Sequence, residues 1–269
     1  MAKKALHRIV ICLSLLFFLE VSAHAFTDLI IFGDSLEDTG NFASLPHISL
    51  PPFPFFMGRI TNGPVAVDIL ADGLGLSAES SFHLIGPEVG TNYAVVSARA
   101  HTTGPIDLHN QVSAFLYNHL GDAPSDALYI IGFGGNDLRD ARDAMNEATA
   151  ELIIKDTVEM IVMNIRRLVE AGARTIIVLN LPDIGAIPET RLISEMIGDK
   201  SLIEKTTKST LRFNNRLSKR SRKVEKEFGI DLIEFDTFAL FKDILEDSAA
   251  LGFTDTTHAC FSSVTFTFR

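Results

Sequence analysis

The strongest constraint on the fold is an alternation of short apolar segments with longer amphipathic ones. The apolar segments, each of strand length, are residues 27–32, 92–96, 128–131, 175–179 and 230–235. The amphipathic segments, with helical spacing, are residues 65–74, 152–170, 202–228 and 238–245. Short buried strands that alternate with helices indicate a parallel sheet covered on both faces. We therefore predict an α/β fold with three layers, αβα, built on a doubly wound parallel sheet of five strands.

Polar side chains follow three of the predicted strands at the point where each strand ends. Ser35 follows the first strand, Ser97 the second and Asn136 the third. In an open parallel sheet, ligands bind beyond the carboxyl ends of the strands. We expect these three residues to lie around one site.

The N-terminus is typical of an export signal. A basic start precedes an apolar run at residues 9–19, and a small-x-small pattern ends at Ala25. The alternative is a membrane anchor, but the run is only about half of the ~20 residues that span a bilayer, and Glu20 closes it. We predict cleavage after Ala25, a secreted or periplasmic protein without a transmembrane segment after cleavage, and one domain over residues 26–269.

The charge balance limits the possible partners. The chain has 24 Lys and Arg against 34 Asp and Glu, a formal net charge of −10. This balance argues against binding to nucleic acid or tightly to anionic membrane surfaces, but it permits a lipid substrate, because acyl chains are held by apolar contacts. The eight His residues are scattered without metal-ligand spacing, and no phosphate-binding loop is present, so we predict no metal and no cofactor.

The segment at residues 32–41, FGDSLEDTGN, strongly resembles the first block of the SGNH/GDSL hydrolase family. Other segments are similar to later family blocks: residues 58–64 (GRITNGP), 134–137 (GGND), 180–185 (NLPDIG), 213–214 (FN) and 252–254 (GFT). The similarity runs from about residue 26 to residue 261 and looks most like the branch of secreted bacterial lipases and phospholipases and plant GDSL esterases. It implies a flavodoxin-like fold and a carboxylic ester hydrolase that acts on small-molecule or lipid esters.

The resemblance also implies catalytic roles. Ser35, in a strand-to-helix turn, would be the nucleophile; the alternative is a helix-capping serine. An oxyanion would be held by the backbone N–H groups of Ser35 and Ser97 and by the side-chain amide of Asn136, each such donor being worth roughly 10²–10³ in rate. For Asn136 the alternative is a turn residue in a Gly-rich loop. Ser97 stands where the family usually has Gly, so its side chain narrows the space near the substrate.

Two different family segments resemble the region in which the general base would lie. Asp255 and His258 have the spacing of the family's catalytic D-x-x-H block, but residues 252–260 are more similar to an upstream G-F-T-N-V-T-D-P-C segment. In that register the spacing is coincidental, the catalytic block is missing, and Cys260 has no partner. Two interpretations remain: a shortened C-terminus, which we favour, or a relocated dyad. The sequence predicts an exported serine esterase or lipase, or alternatively an inactive relative without its base.

Overall fold

The computed structural model describes residues 26–51 and 54–259, together with the backbone of residues 261–262 and 267–268. The predicted export signal at residues 1–25 and Cys260 lie outside the described residues. The strands are β1 (Leu29–Gly33), β2 (Leu128–Gly132), β3 (Thr175–Leu179), β4 (Asp231–Phe235), β5 (Phe261–Ser262) and β6 (Thr267–Phe268). The helices are α1 (Ala66–Leu74), α2 (Leu108–Asn118), α3 (Gly135–Arg142), α4 (Glu147–Ala171), α5 (Pro188–Ile197), α6 (Ser201–Phe228) and α7 (Thr237–Glu246).

The main sheet is parallel and has the order β1-β2-β3-β4. β1 and β2 are buried along their whole length. On one face, Ile30 and Tyr129 belong to a core formed with α2, α4 and α6. On the other face, Ile31 and Ile130 pack with Val67 of α1. Helices therefore cover both faces of the sheet, and the predicted three-layer αβα architecture is confirmed.

The second predicted strand, at residues 92–96, is not a regular strand, so the sheet has four regular strands among the described residues rather than five. The segment lies along the free edge of β1, where the Tyr93 N–H donates to the Ile31 carbonyl at 2.8 Å. The Val95 N–H likewise donates to the Gly33 carbonyl at 3.2 Å, whereas side chains take two other donors: the Ala94 N–H binds the Asn92 side chain and the Val96 N–H binds Asp38. These side-chain bonds compete with regular strand pairing. The segment nevertheless occupies the position of an edge strand beside β1.

The four predicted helices are present as α1, α4, α6 and α7, while α2, α3 and α5 are additions that the periodicity does not reveal. Local signals explain several helix ends. Asn146 accepts a hydrogen bond from the Thr149 N–H and starts α4, and Gly229, with φ +62°, ends α6 in the left-handed conformation. Within the described residues, no helix combines the length and the apolarity needed to cross a membrane.

Candidate active site

Ser35 follows β1 directly and is half-buried. The Asp34 carbonyl accepts hydrogen bonds from the N–H groups of Glu37 and Asp38, at 3.3 and 3.0 Å, which closes a turn around Ser35. The expectation that Ser35 starts a helix is therefore wrong, because the chain leaves this turn without entering a regular helix. The neighbouring Leu36 is exposed, so this turn lies at the protein surface.

Asp34 connects Ser35 with Asn136. Its carboxylate is buried and accepts hydrogen bonds from the Leu36 N–H at 3.0 Å and from Asn136 Nδ2 at 3.2 Å, and Ser35 is the next residue in the chain. Burial raises the pKa of Asp34 to about 6, and the charge of Asp137 adds to the rise, against the hydrogen bond from Leu36. The turn after β1 and the start of α3 thus meet at one carboxylate.

Asn136 lies in the first turn of α3, immediately beyond the carboxyl end of β2. The turn needs Gly134, which has φ +121°, and a Cβ there would stand 2.7 Å from the Phe213 ring. Besides Asp34, Asn136 Nδ2 donates to the Ala98 carbonyl at 2.9 Å. Its amide therefore joins the segment at residues 97–98 to the ends of β1 and β2.

Ser97 is exposed and has φ +68°, a left-handed conformation that favours glycine. This is the position at which the resemblance implies Gly. Ser97 directly precedes Ala98, whose carbonyl binds Asn136, so it lies beside the same edge. The sequence thus places a side chain on a backbone conformation that costs about 1–2 kcal/mol for residues other than glycine.

Asp255 and His258 form an exposed pair away from these contacts. His258 Nδ1 lies 2.8 Å from Asp255 Oδ2, and the His258 N–H donates to Asp255 Oδ1 at 3.1 Å. Hydrogen bonds from Thr257 and then from His258 lower the pKa of Asp255. Among the described residues, the hydrogen bonds of His258 go to Asp255 and Thr257, and none goes to Ser35.

A second Asp–His pair lies next to Asn136. His101 Nδ1 lies 2.7 Å from Asp137 Oδ1, and the hydrogen bond raises the pKa of His101, against its partial burial. Asp137 is fully buried and also accepts hydrogen bonds from the N–H groups of Ala100 and His101. The sequence analysis includes Asp137 in the block at residues 134–137. It does not indicate His101, because no spacing rule relates two residues that are 36 positions apart.

Glu37 is a buried carboxyl group in the turn that follows β1 and contains Ser35. Its oxygens fill a space that exists because Gly33 and Gly132 end β1 and β2: a Cβ on either glycine would stand 2.5–2.7 Å from a Glu37 oxygen. Glu37 Oε2 accepts the Asp34 N–H at 3.2 Å. Burial and then the charge of Asp34 raise the pKa of Glu37 well above its usual range. In the sequence, the glycines at the ends of two neighbouring strands could have indicated that a buried side chain fills the space beside them.

Arg139 completes the surroundings of Asn136. Its Nη1 donates to Asn136 Oδ1 at 3.3 Å, and it forms an ion pair with Glu189 of α5. Within the part of the chain that the structure describes, no group of three His, Cys, Asp or Glu side chains is arranged to hold a metal ion. The contacts around Ser35 and Asn136 bring together a hydroxyl group, hydrogen-bond donors, carboxylates and, at His101, an imidazole.

Comparison with known proteins adds an independent finding. A family model described as GDSL-like Lipase/Acylhydrolase matches residues 29–264. Phosphatidylcholine-sterol acyltransferase of Aeromonas hydrophila is 28% identical over 249 residues, which cover 89% of this chain and 67% of that protein. GDSL esterase/lipase At3g53100 of Arabidopsis thaliana is 29% identical over 274 residues, covering 86% of this chain and 76% of that protein. Lipase 1 of Photorhabdus luminescens is 31% identical over 174 residues, 62% of this chain and 24% of that protein.

Proposed function

Because the chain belongs to the GDSL-like lipase and acylhydrolase family, we propose that it hydrolyses carboxylic esters with Ser35 as the nucleophile. The observation that carries this proposal is that Ser35 follows Asp34 in the turn after β1 and that the Asp34 carboxylate binds Asn136 Nδ2 at 3.2 Å. A hydroxyl group and a side-chain amide therefore lie at the same edge of the sheet. Acyl esters of lipids or phospholipids are the proposed substrate class. The names of a phosphatidylcholine-sterol acyltransferase and a lipase among the relatives support it.

In this proposal the Ser35 hydroxyl oxygen attacks the ester carbonyl carbon. The negative charge that develops on the carbonyl oxygen is stabilised by the N–H groups of Ser35 and Ser97 and by Asn136 Nδ2. Collapse of the tetrahedral intermediate expels the alcohol and leaves an acyl group on Ser35, and water then releases the acid. A general base must take the Ser35 proton and give it to the oxygen of the departing alcohol, and the Asp255–His258 pair would have to reach Ser35 to be that base.

A second candidate is a relative with weak or no turnover. It is favoured by the hydrogen bonds of His258, which among the described residues go to Asp255 and Thr257 and not to Ser35. A serine without an adjacent base is a weak nucleophile. In this case the fold would retain a site that binds esters but hydrolyses them slowly.

Covalent labelling separates the two candidates. The purified protein is treated with a fluorophosphonate probe, the adduct is mapped by peptide mass spectrometry, and hydrolysis of short p-nitrophenyl esters is measured in parallel. We expect an adduct on Ser35 that is lost in Ser35→Ala and kept in Ser77→Ala, a control at an exposed serine. Labelling of Ser35 together with ester hydrolysis supports the hydrolase, and slow labelling without hydrolysis supports the relative with weak or no turnover. Labelling of another residue, with Ser35 unmodified, refutes Ser35 as the nucleophile.

Export is a separate proposal. It rests on the pattern at residues 1–25 and predicts that a mature protein starts at Phe26. Expression of the full chain in a bacterial host, followed by fractionation and N-terminal sequencing, tests it. Recovery of the intact N-terminus in the cytoplasmic fraction would contradict it.

A further inference from the structure

The guanidinium group of Arg139 has two partners of different kinds. It lies one helical turn after Asn136 on α3, and its Nη1 donates to Asn136 Oδ1 at 3.3 Å. Its Nε and Nη2 donate to the two carboxylate oxygens of Glu189, both at 2.6 Å. This bidentate arrangement uses the planar fork of arginine and fixes the direction in which Nη1 points.

The Asn136 amide is held in one orientation by groups of opposite charge. Arginine only donates, so it can bind only the oxygen end of the amide, whereas the carboxylate of Asp34 binds the nitrogen end. Turning the amide over would place its oxygen against Asp34 and its N–H groups against Arg139. Both contacts would then be repulsive, so the nitrogen stays on the side of Asp34 and Ser35.

The Glu189 carboxylate is held by more than its contact with Arg139. It lies in the first turn of α5, next to Pro188, and accepts a further hydrogen bond from Arg142 Nη1 at 3.0 Å. Burial would raise the pKa of Glu189, but the hydrogen bonds from Arg139 and Arg142 outweigh it and lower the pKa, so the carboxylate stays ionised. The Arg142 side chain is almost fully buried and also donates to Thr190, which ties α5 to α3.

The geometry points to Arg139, anchored by Glu189, as the positioning residue that keeps the Asn136 amide nitrogen directed toward the oxyanion position. This inference rests on the proposed function, since the oxyanion belongs to the Ser35 reaction. Arg139 acts through Asn136 in this role and needs no contact with the substrate.

The test compares Arg139→Gln and Arg139→Lys with a matched control, Arg166→Gln. In this control a half-buried arginine loses a similar contact through two nitrogens with Glu227. We expect Arg139→Gln to lower the rate of Ser35 labelling by about tenfold or more, and kcat rather than KM, with a melting temperature no lower than that of Arg166→Gln. Arg139→Lys keeps the charge and a donor, and should recover part of the rate.

The same substitution in an Asn136→Ala background decides whether Arg139 acts through Asn136. We expect Arg139→Gln to have no further effect there, because the amide that it orients is gone. An equal loss of rate in both backgrounds, or no loss in the wild-type background, would overturn the inference.

A second measurement does not depend on catalysis. In ¹⁵N NMR, the side-chain NH₂ signals of Asn136 should shift in Arg139→Gln, and their relaxation should show a more mobile amide. Both should stay unchanged in Arg166→Gln. If Ser35 is not labelled in any form of the protein, the proposed function fails, and these signals alone decide: an unchanged amide in Arg139→Gln refutes the positioning role.

Discussion

Asn136 Nδ2 donates to the Asp34 carboxylate at 3.2 Å and to the Ala98 carbonyl at 2.9 Å, so both of its hydrogens are engaged. An amide that stabilises an oxyanion must redirect one of these hydrogens, and the longer bond to Asp34 is the one that is easier to release. Before a substrate binds, the Asn136 amide is therefore held by Asp34 and Ala98, and an oxyanion would have to replace Asp34 as the acceptor of one hydrogen. The Asn136 amide therefore has two roles, one in the structure and one in the proposed reaction.

Asn136→Ala should lower both activity and stability. Loss of one oxyanion donor lowers kcat by roughly 10²–10³. Loss of the amide also removes one hydrogen bond from the buried Asp34 carboxylate, which keeps the bond from the Leu36 N–H, and one from the Ala98 carbonyl. This loss costs about 1–3 kcal/mol of unfolding free energy. Ester hydrolysis and urea unfolding measure the two effects. Asn110→Ala, which removes hydrogen bonds to the carbonyls of Thr103 and Gly104, is the control and should keep its activity; unchanged turnover in Asn136→Ala would contradict the oxyanion role.

Ser97→Gly should stabilise the protein. The left-handed backbone at Ser97, with φ +68°, is unfavourable for a residue with a Cβ and not for glycine. After subtraction of the larger entropy of glycine in the unfolded chain, we expect a gain of up to about 1 kcal/mol in unfolding free energy. Ser97→Ala keeps the Cβ and serves as the control. Equal stability of the Gly and Ala variants in chemical unfolding would show that the backbone at this position is not strained.

The unfolding free energy of Glu37→Gln, relative to that of the wild type, should increase as the pH rises. The folded protein raises the pKa of Glu37, so its contribution is fully present below the unfolded pKa of about 4.3 and is lost as the pH rises through the folded value. Glutamine has nearly the same shape and stays neutral, so its contribution to the unfolding free energy does not fall as the pH rises. Urea unfolding at pH 5, 6.5 and 8 should show the variant gaining on the wild type at each step.

Glu204→Gln is the control for this pH series. Hydrogen bonding to Lys208 lowers the pKa of the exposed Glu204, so its contribution is constant above the unfolded pKa and should not vary between pH 5 and 8. A stability difference between Glu37→Gln and wild type that is the same at all three pH values would mean that Glu37 is ionised in the folded state.

His258→Ala should have little effect on catalysis. The imidazole is exposed and its described hydrogen bonds stay within residues 255–258. Removing the histidine of a working triad costs up to about 10⁶ in kcat, whereas we expect less than about a tenfold change here, on a low basal rate. A loss of 10³ or more in ester hydrolysis, matched by Asp255→Asn, would establish the relocated dyad instead.

The sequence alone was sufficient for the layers of the fold and for the edge at which the candidate residues meet. Alternating apolar and amphipathic segments specify a parallel sheet between helices, and Ser35 and Asn136 directly follow predicted strands. These are local properties, because a strand or a helix face is defined by residues close together in the chain. The segment at residues 92–96 shows the limit: its apolar pattern is that of a strand, yet hydrogen bonds from other parts of the chain decide its backbone.

Only the tertiary structure decided which groups surround Ser35 and Asn136. Glu189 is 50 residues from Arg139, and Asn136 is 102 residues from Asp34, so no periodicity relates either pair. Whether His258 faces Ser35 is likewise undetermined by the D-x-x-H spacing, which sets only the contact between His258 and Asp255. A contact between distant residues depends on the order of the strands and on the packing of helices across them, because these bring the ends of separate elements together.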